Sequence, residues 1–307
     1  MKRFFLIILA FSILLFGGCR MDDGQQQPAT SYTFTDSLNR TVRVDSLDRV
    51  AIASGSLADC WLLAGGTVCA VTRDAIEERN LELPDDVIDL GSLKNPNSEL
   101  LLSSDLDLVI LIPSYSAHLA LADLLDKAKI PYAYFDVETF DDYLGLLKTF
   151  TTLTGRPDLY ETNGTAILTQ INASIEQMKS VLPPNVLLLR TSSSNIKSLG
   201  SDTMVGHMLK DLGCQNIADS DTHLLTELSL EGIISADPDY IFVICMGDTK
   251  EAVAHFNYTL SSNPIWSTLT AVKENRFHFL PKDLFHYKPN ARWGESYETL
   301  VDLLTKE

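Results

Sequence analysis

Residues 97–111 and 229–243 follow one pattern at an offset of 132 positions. Glu99 matches Glu231, Ser103 matches Ser235, and the pairs Asp105/Asp107 and Asp237/Asp239 coincide. Each copy reads as a short helix, a turn and a continuous apolar run, Leu108–Ile112 in the first and Tyr240–Ile244 in the second. Such runs suit strands buried on both faces. A chain that repeats this unit is expected to form two similar α/β lobes. Between the copies the pattern changes: Ile167, Ile171, Ile175, Met178 and Leu182 recur on one helical stripe, as in an amphipathic helix. Pro157 suits its first turn and Pro183-Pro184 stops it. A helix over 157–182 would be roughly 39 Å long, about the width of a domain. The expected segments are an N-terminal lobe over 32–155, an interlobe helix over 156–184 and a C-terminal lobe over 185–307.

The chain begins with Lys2 and Arg3, an apolar run Phe4–Phe16, and Gly17-Gly18-Cys19. Such a run is short for a membrane span and suits a signal peptide. Residues 1–18 resemble a bacterial lipoprotein signal, although Phe16 stands where that pattern prefers Leu. The resemblance implies cleavage before Cys19, lipidation of that cysteine and a polar tether over 19–31 on the outer face of a membrane; the alternative is a plain signal peptide or an uncleaved anchor. The 307 residues carry 24 basic and 41 acidic side chains, a net charge of −17. Nucleic acid is therefore excluded as an expected partner, because its phosphates reward clustered Lys and Arg. Cys60, Cys69, Cys214 and Cys245 form no CxxC pair and read as buried free thiols in preference to disulfides or a zinc site.

An opening hairpin (Tyr32–Thr35 with Thr41–Val44), the two repeated units, the long helix and the ending Asn263-Pro-Ile-Trp266…Ala271–Arg276 occur in one order. Together they resemble the substrate-binding proteins of ABC importers for iron-siderophores, haem and cobalamin, from about Tyr32 to the C-terminus. The resemblance implies α/β architecture with two Rossmann-like lobes, parallel central sheets and one long rigid helix, the class III periplasmic-binding-protein fold. It also implies a ligand cleft between the lobes, a permease dimer as partner, a small metal chelate as cargo, no resident cofactor and a monomer. In that family one glutamate per lobe docks onto permease arginines, and the pattern falls on Glu99 and Glu231. Either alone could simply complement a helix dipole.

The family's cleft is lined by loops after strand C-terminal ends, the usual ligand position in open α/β sheets. Those loops would present Tyr115 and His118 from the first lobe and Arg190 from the second. The run 285–294 adds His286, Tyr287, Lys288, Arg292 and Trp293. A ferric centre accepts phenolate or imidazole, so Tyr287 or His286 could complete its coordination through the chelate, while the cations could pair with ligand oxygens. Alternatively the run is a surface loop with Trp293 packed on the last helix. An iron chelate leads; cobalamin is the second reading and would use Trp61, Trp293 and tyrosines as apolar walls. No G-x-S-x-G elbow, P-loop, G-x-G-x-x-G or H-E-x-x-H occurs, so an enzyme is not expected.

Overall fold

The computed structural model describes residues 31–220 and 229–306; the expected signal segment, tether and Cys19 lie outside them. Two five-stranded sheets organise the chain from Ser31 onward, which forms one compact unit. In the N-terminal sheet the order is 88–89, 70–71, 50–52, 108–111, 132–134, with every pair parallel. Its direction of winding reverses between Val50–Ile52 and Leu108–Leu111, which pair Val50 with Leu108 and Ile52 with Ile110. In the C-terminal sheet Asn185–Thr191 lies parallel to Tyr240–Cys245, which lies parallel to Phe277–Leu280. Ile196–Ser198 closes the other edge antiparallel, and Gln215–Asn216 pairs there with residues 185–186. Both central pairs are buried along most of their length, which accounts for their unbroken apolar sequence.

The sequence repeat corresponds to a repeated way of starting a sheet. Asn97 caps the helix Ser98–Ser103 and Ser229 caps Leu230–Ala236, each side chain accepting backbone N–H groups of the first turn. The chain then turns through Asp105 and Asp237, both at positive φ (49° and 38°), a conformation that Asp tolerates better than most residues. Asp107 next accepts the N–H of Arg49 at 2.9 Å, and Asp239 accepts that of Asn185 at 2.8 Å. Each carboxylate thus fixes the start of the strand beside its own. Acceptor geometry explains the second Asp of each motif, and left-handed turn geometry the first.

The long helix is continuous from Pro157 to Met178 and contains one wider turn, Glu161–Thr165. The Tyr143 hydroxyl donates to the Asn163 carbonyl at 2.8 Å, and the Asn163 amide donates to the Leu63 carbonyl at 2.8 Å. The π-turn therefore sits where the helix is tied to the N-terminal half. At about 1.5 Å per residue the helix is roughly 33 Å long, shorter than the sequence stripe implied. The Ser180 hydroxyl donates to the Gln177 carbonyl, a local bond that competes with continued helix. Leu182 is consequently exposed rather than part of the stripe.

Ile167, Ile171 and Met178 face a core that runs without a break through both halves, from Trp61 and Phe150 to Phe242, Trp293 and Tyr297. Trp61 meets Phe150 edge-on at 5.0 Å, and Phe140 meets Trp293 at 5.8 Å. The last helix, Trp293–Thr305, lies so close to the long helix that a Cβ on Gly294 would collide with the Gln170 side chain. Gly294→Val should therefore cost about 1–3 kcal/mol through overpacking. Adding Gln170→Ala should recover much of that loss in a denaturant double-mutant cycle; strictly additive losses would contradict the contact.

Candidate functional site: a cleft at the carboxyl ends of both sheets

The residues after the two reversing strands of the N-terminal sheet converge on one cavity. Val50–Ile52 leads to Ser54, which caps the helix Gly55–Leu63, and Leu108–Leu111 leads to Ser114 and Tyr115. Ser54, Ser56, Ser114 and Tyr115 line a cavity of about 250 Å³, closed from the other half by His286, Tyr287 and Lys288. A second cavity of about 300 Å³ adjoins it, sharing Glu138, His286 and Lys288 and adding Arg190, Leu199, Thr203, Met204 and Ile244. Together they form a cleft at the switch points of both sheets, where open α/β folds place ligands. A larger cavity, about 390 Å³, lies beside the opening hairpin. It opens widely to solvent at one edge of the N-terminal sheet, and its Arg40 is committed to Asp36 and the Tyr132 carbonyl, so the cleft is the better candidate.

Of the residues expected at a ligand site, the structure brings Tyr115, Arg190, His286, Tyr287 and Lys288 to the cleft. Three others lie elsewhere. His118 is fully buried behind Tyr115: its Nδ1 accepts the Ile112 N–H at 3.0 Å and its Nε2 faces the Leu93 carbonyl at 2.6 Å. Those bonds require a neutral ring with its proton on Nε2, leaving neither nitrogen for a ligand. Trp293 begins the last helix, 1% exposed, because it heads the stripe Trp293, Tyr297, Leu300, Val301, Leu304. Arg292 turns away to Asp283 and Glu295, with N–O distances of 2.6 Å to each, and lines neither cavity of the cleft. Trp61 is likewise a core residue, 1% exposed, so the two tryptophans considered as apolar walls do not line the cleft.

The structure adds a wall that the sequence reading missed. Asp74, Glu78 and Arg79 follow the strand Ala70–Val71, and Asp136 and Glu138 follow Tyr132–Tyr134. Extending the strand-end rule to these two outer strands finds them. Arg79 donates to Asp59 at 3.0 Å and to the Lys288 carbonyl at 2.7 Å. The Lys288 ammonium sits 2.9 Å from Glu138. Asp74 accepts the Gly55 N–H through Oδ2 at 2.7 Å, while its Oδ1 is buried with no hydrogen-bond partner among the described residues.

Titration behaviour follows this layout. Burial raises the Tyr115 phenol, and Asp74, Asp136 and Glu78 push it further. Burial also raises Tyr287, with Glu78 adding to the rise and Lys282 opposing it. His286 goes the other way: burial, Lys282 and Arg190 pull it down to about 4. Its imidazole is therefore neutral at physiological pH and has no hydrogen-bond partner among the described residues, which suits it to meet a metal or an apolar ligand face. Among the described residues no three His, Cys, Asp or Glu side chains converge as a metal site.

The folded-state value of His286 lies below its ordinary 6.5, so an unfolded chain takes up a proton in that interval that the folded chain refuses. Stability linked to His286 is complete above about pH 6.5 and declines as pH falls toward about 4. Urea melts should show the wild type losing more stability than His286→Gln between about pH 7 and about pH 4.5. Parallel losses would contradict the burial argument.

Comparison with known proteins agrees with this geometry. The periplasmic binding protein family matches residues 50–284. No curated protein sequence matches the chain. Among solved structures, siderophore binding protein BauB, bound to two acinetobactin molecules and ferric iron, is 20% identical with a TM-score of 0.72, covering 91% of this chain and 100% of its own. Staphylococcus aureus IsdE complexed with heme is 16% identical with a TM-score of 0.68, covering 84% and 99%. An ABC transporter substrate-binding protein from Listeria monocytogenes is 18% identical with a TM-score of 0.67, again covering 84% and 99%. At such identities the structural likeness establishes the fold, which is that of the class III periplasmic binding proteins. With more than two thirds of its length matched by the family, the chain belongs to the periplasmic binding proteins, the substrate-binding proteins of ABC importers.

Proposed function

We propose that this protein is the extracytoplasmic substrate-binding component of an ABC importer, capturing an iron chelate, a siderophore complex or haem, in the cleft and delivering it to the permease. The observation that carries this reading is an unpartnered neutral imidazole, His286, placed between Tyr115, Tyr287 and Arg190 at the switch points of both sheets. An arriving chelate supplies most of the metal's coordination itself. His286 offers one nitrogen and Tyr287 one phenol oxygen to complete it, while Arg190 orients ligand oxygens. That neighbours of this fold were solved with heme and with a ferric siderophore supports the class of ligand.

Capture and delivery are the whole task in this reading, with no turnover by the protein. Lipidation at Cys19 would hold a monomer at the outer face of the membrane. Among the described residues no helix is long and apolar enough to cross a bilayer. Glu99 and Glu231 are exposed in the first turns of equivalent helices, Ser98–Ser103 and Leu230–Ala236. This matched placement supports their role as the two permease contacts, where arginine pairing sets orientation.

Fluorescence titration with haemin, ferric siderophores and cobalamin tests the reading. At least one iron ligand should quench saturably, and His286→Ala with Tyr287→Phe should weaken it roughly tenfold or more. Quenching by cobalamin alone would favour a corrinoid carrier; quenching by none would reject the reading. Glu99→Arg with Glu231→Arg should leave affinity unchanged but stop uptake into proteoliposomes containing the permease. Normal uptake would remove the docking role.

A further inference from the structure

We propose that the cleft selects a dipolar ligand: a metal chelate of low net charge, with a protonated amine or similar cationic arm toward the N-terminal wall and a carboxylate or similar anionic group toward the C-terminal wall. The inference rests on the proposed function and specifies the charge of its ligand.

The two walls differ in sign. Asp74, Glu78, Asp136 and Glu138 all come from the N-terminal half. The cations beside them are already committed: Arg79 to Asp59 and to the Lys288 carbonyl, and the Lys288 ammonium to Glu138. Asp74, Glu78 and Asp136 therefore have no basic partner within ion-pair distance among the described residues, and Asp74 Oδ1 is buried and unpartnered. A buried carboxylate oxygen with no donor is costly unless a ligand supplies one.

Arg190 lines the opposite side, and no carboxylate among the described residues lies within ion-pair distance of its guanidinium. Lys282 is bonded to the Gly247 carbonyl at 2.9 Å and lies 5.0 Å from the Tyr287 ring. The half-buried groups between the walls feel the same polarity: burial raises Tyr115 and the acids add to the rise, whereas burial lowers His286 and Lys282 and Arg190 lower it further. A cationic arm placed on the acidic side would pair with Asp74 and Asp136, and an anionic group on the other side with Arg190. A multiply anionic complex, in contrast, would meet an N-terminal wall on which Asp74, Glu78, Asp136 and Glu138 outnumber Arg79 and Lys288, and like charges repel.

The test uses ferric complexes that differ in charge. Ferrioxamine B carries a free protonated amine; its N-acetylated derivative has the same iron centre without that charge; ferric enterobactin is a triply anionic tricatecholate. Titrated at low salt and neutral pH, ferrioxamine B should bind at least roughly tenfold more tightly than its acetylated form. The advantage should fall to within about twofold in Asp74→Asn with Asp136→Asn. Glu78→Gln, at an exposed position, should reduce it without disturbing the fold. Equal binding of the two trihydroxamates, or tighter binding of the tricatecholate or haemin, would overturn the inference while leaving the importer reading in place. If no iron complex of any charge binds, both fail together.

Discussion

The Asp59 carboxylate joins the two halves of the molecule beneath the cleft. It takes an N–H of Arg79 at 3.0 Å and the side-chain amide of Asn290 at 2.8 Å, and Asn290 also reaches the Ser56 carbonyl. Arg79 uses its other nitrogen on the Lys288 carbonyl. One anion thus fixes the height at which 286–290 crosses the N-terminal half, and with it the positions of His286, Tyr287 and Lys288. Asp59 and Arg79 side chains are only 24% and 12% exposed. Removing one member of a buried pair typically costs about 3–5 kcal/mol, since the other charge is stranded. Their contribution is positional rather than a net stabilisation over apolar packing.

Around that pair the cleft is held by structure that resists large motion. The long helix is tied to the N-terminal half through Asn163 and Tyr143, and its buried stripe shares one core with the last helix. A continuous packed helix permits less rotation than a pair of extended linkers, so closure on a ligand is expected to be modest and selectivity to reside in the walls. The orphaned Asp74 oxygen fits that logic: the Gly55 N–H holds the carboxylate through its other oxygen before any ligand arrives, which lowers the entropy lost on binding.

Much of the architecture was legible in the sequence because its determinants are local. The matched Asp107 and Asp239 each bind the first amide of a neighbouring strand, and the apolar runs after them are the central strands. The site was less legible. His286, Tyr287 and Lys288 share one short run with Arg292 and Trp293, yet the helical spacing from Trp293 to Leu304 draws Trp293 into the core, and the three-residue spacing to Glu295 draws Arg292 to the surface. His118 lies in a strand-end segment of the cleft, yet its two nitrogens bond to backbone groups of Ile112 and Leu93 and the ring is buried. The acidic wall carries little sequence signal because Asp74–Arg79 is a polar segment with little periodicity, brought to the cleft only by its place after the strand Ala70–Val71.

Hydrogen–deuterium exchange with and without a saturating ferric chelate tests the central claim, that cargo lies between the halves at the carboxyl ends of both sheets. Amides in 54–57, 74–79, 113–118, 190–191 and 286–290 should slow together, whereas the hairpin 32–44 and residues 129–132 should exchange as before. Protection confined to the hairpin and 129–132, around the open cavity at the N-terminal edge, would contradict the account.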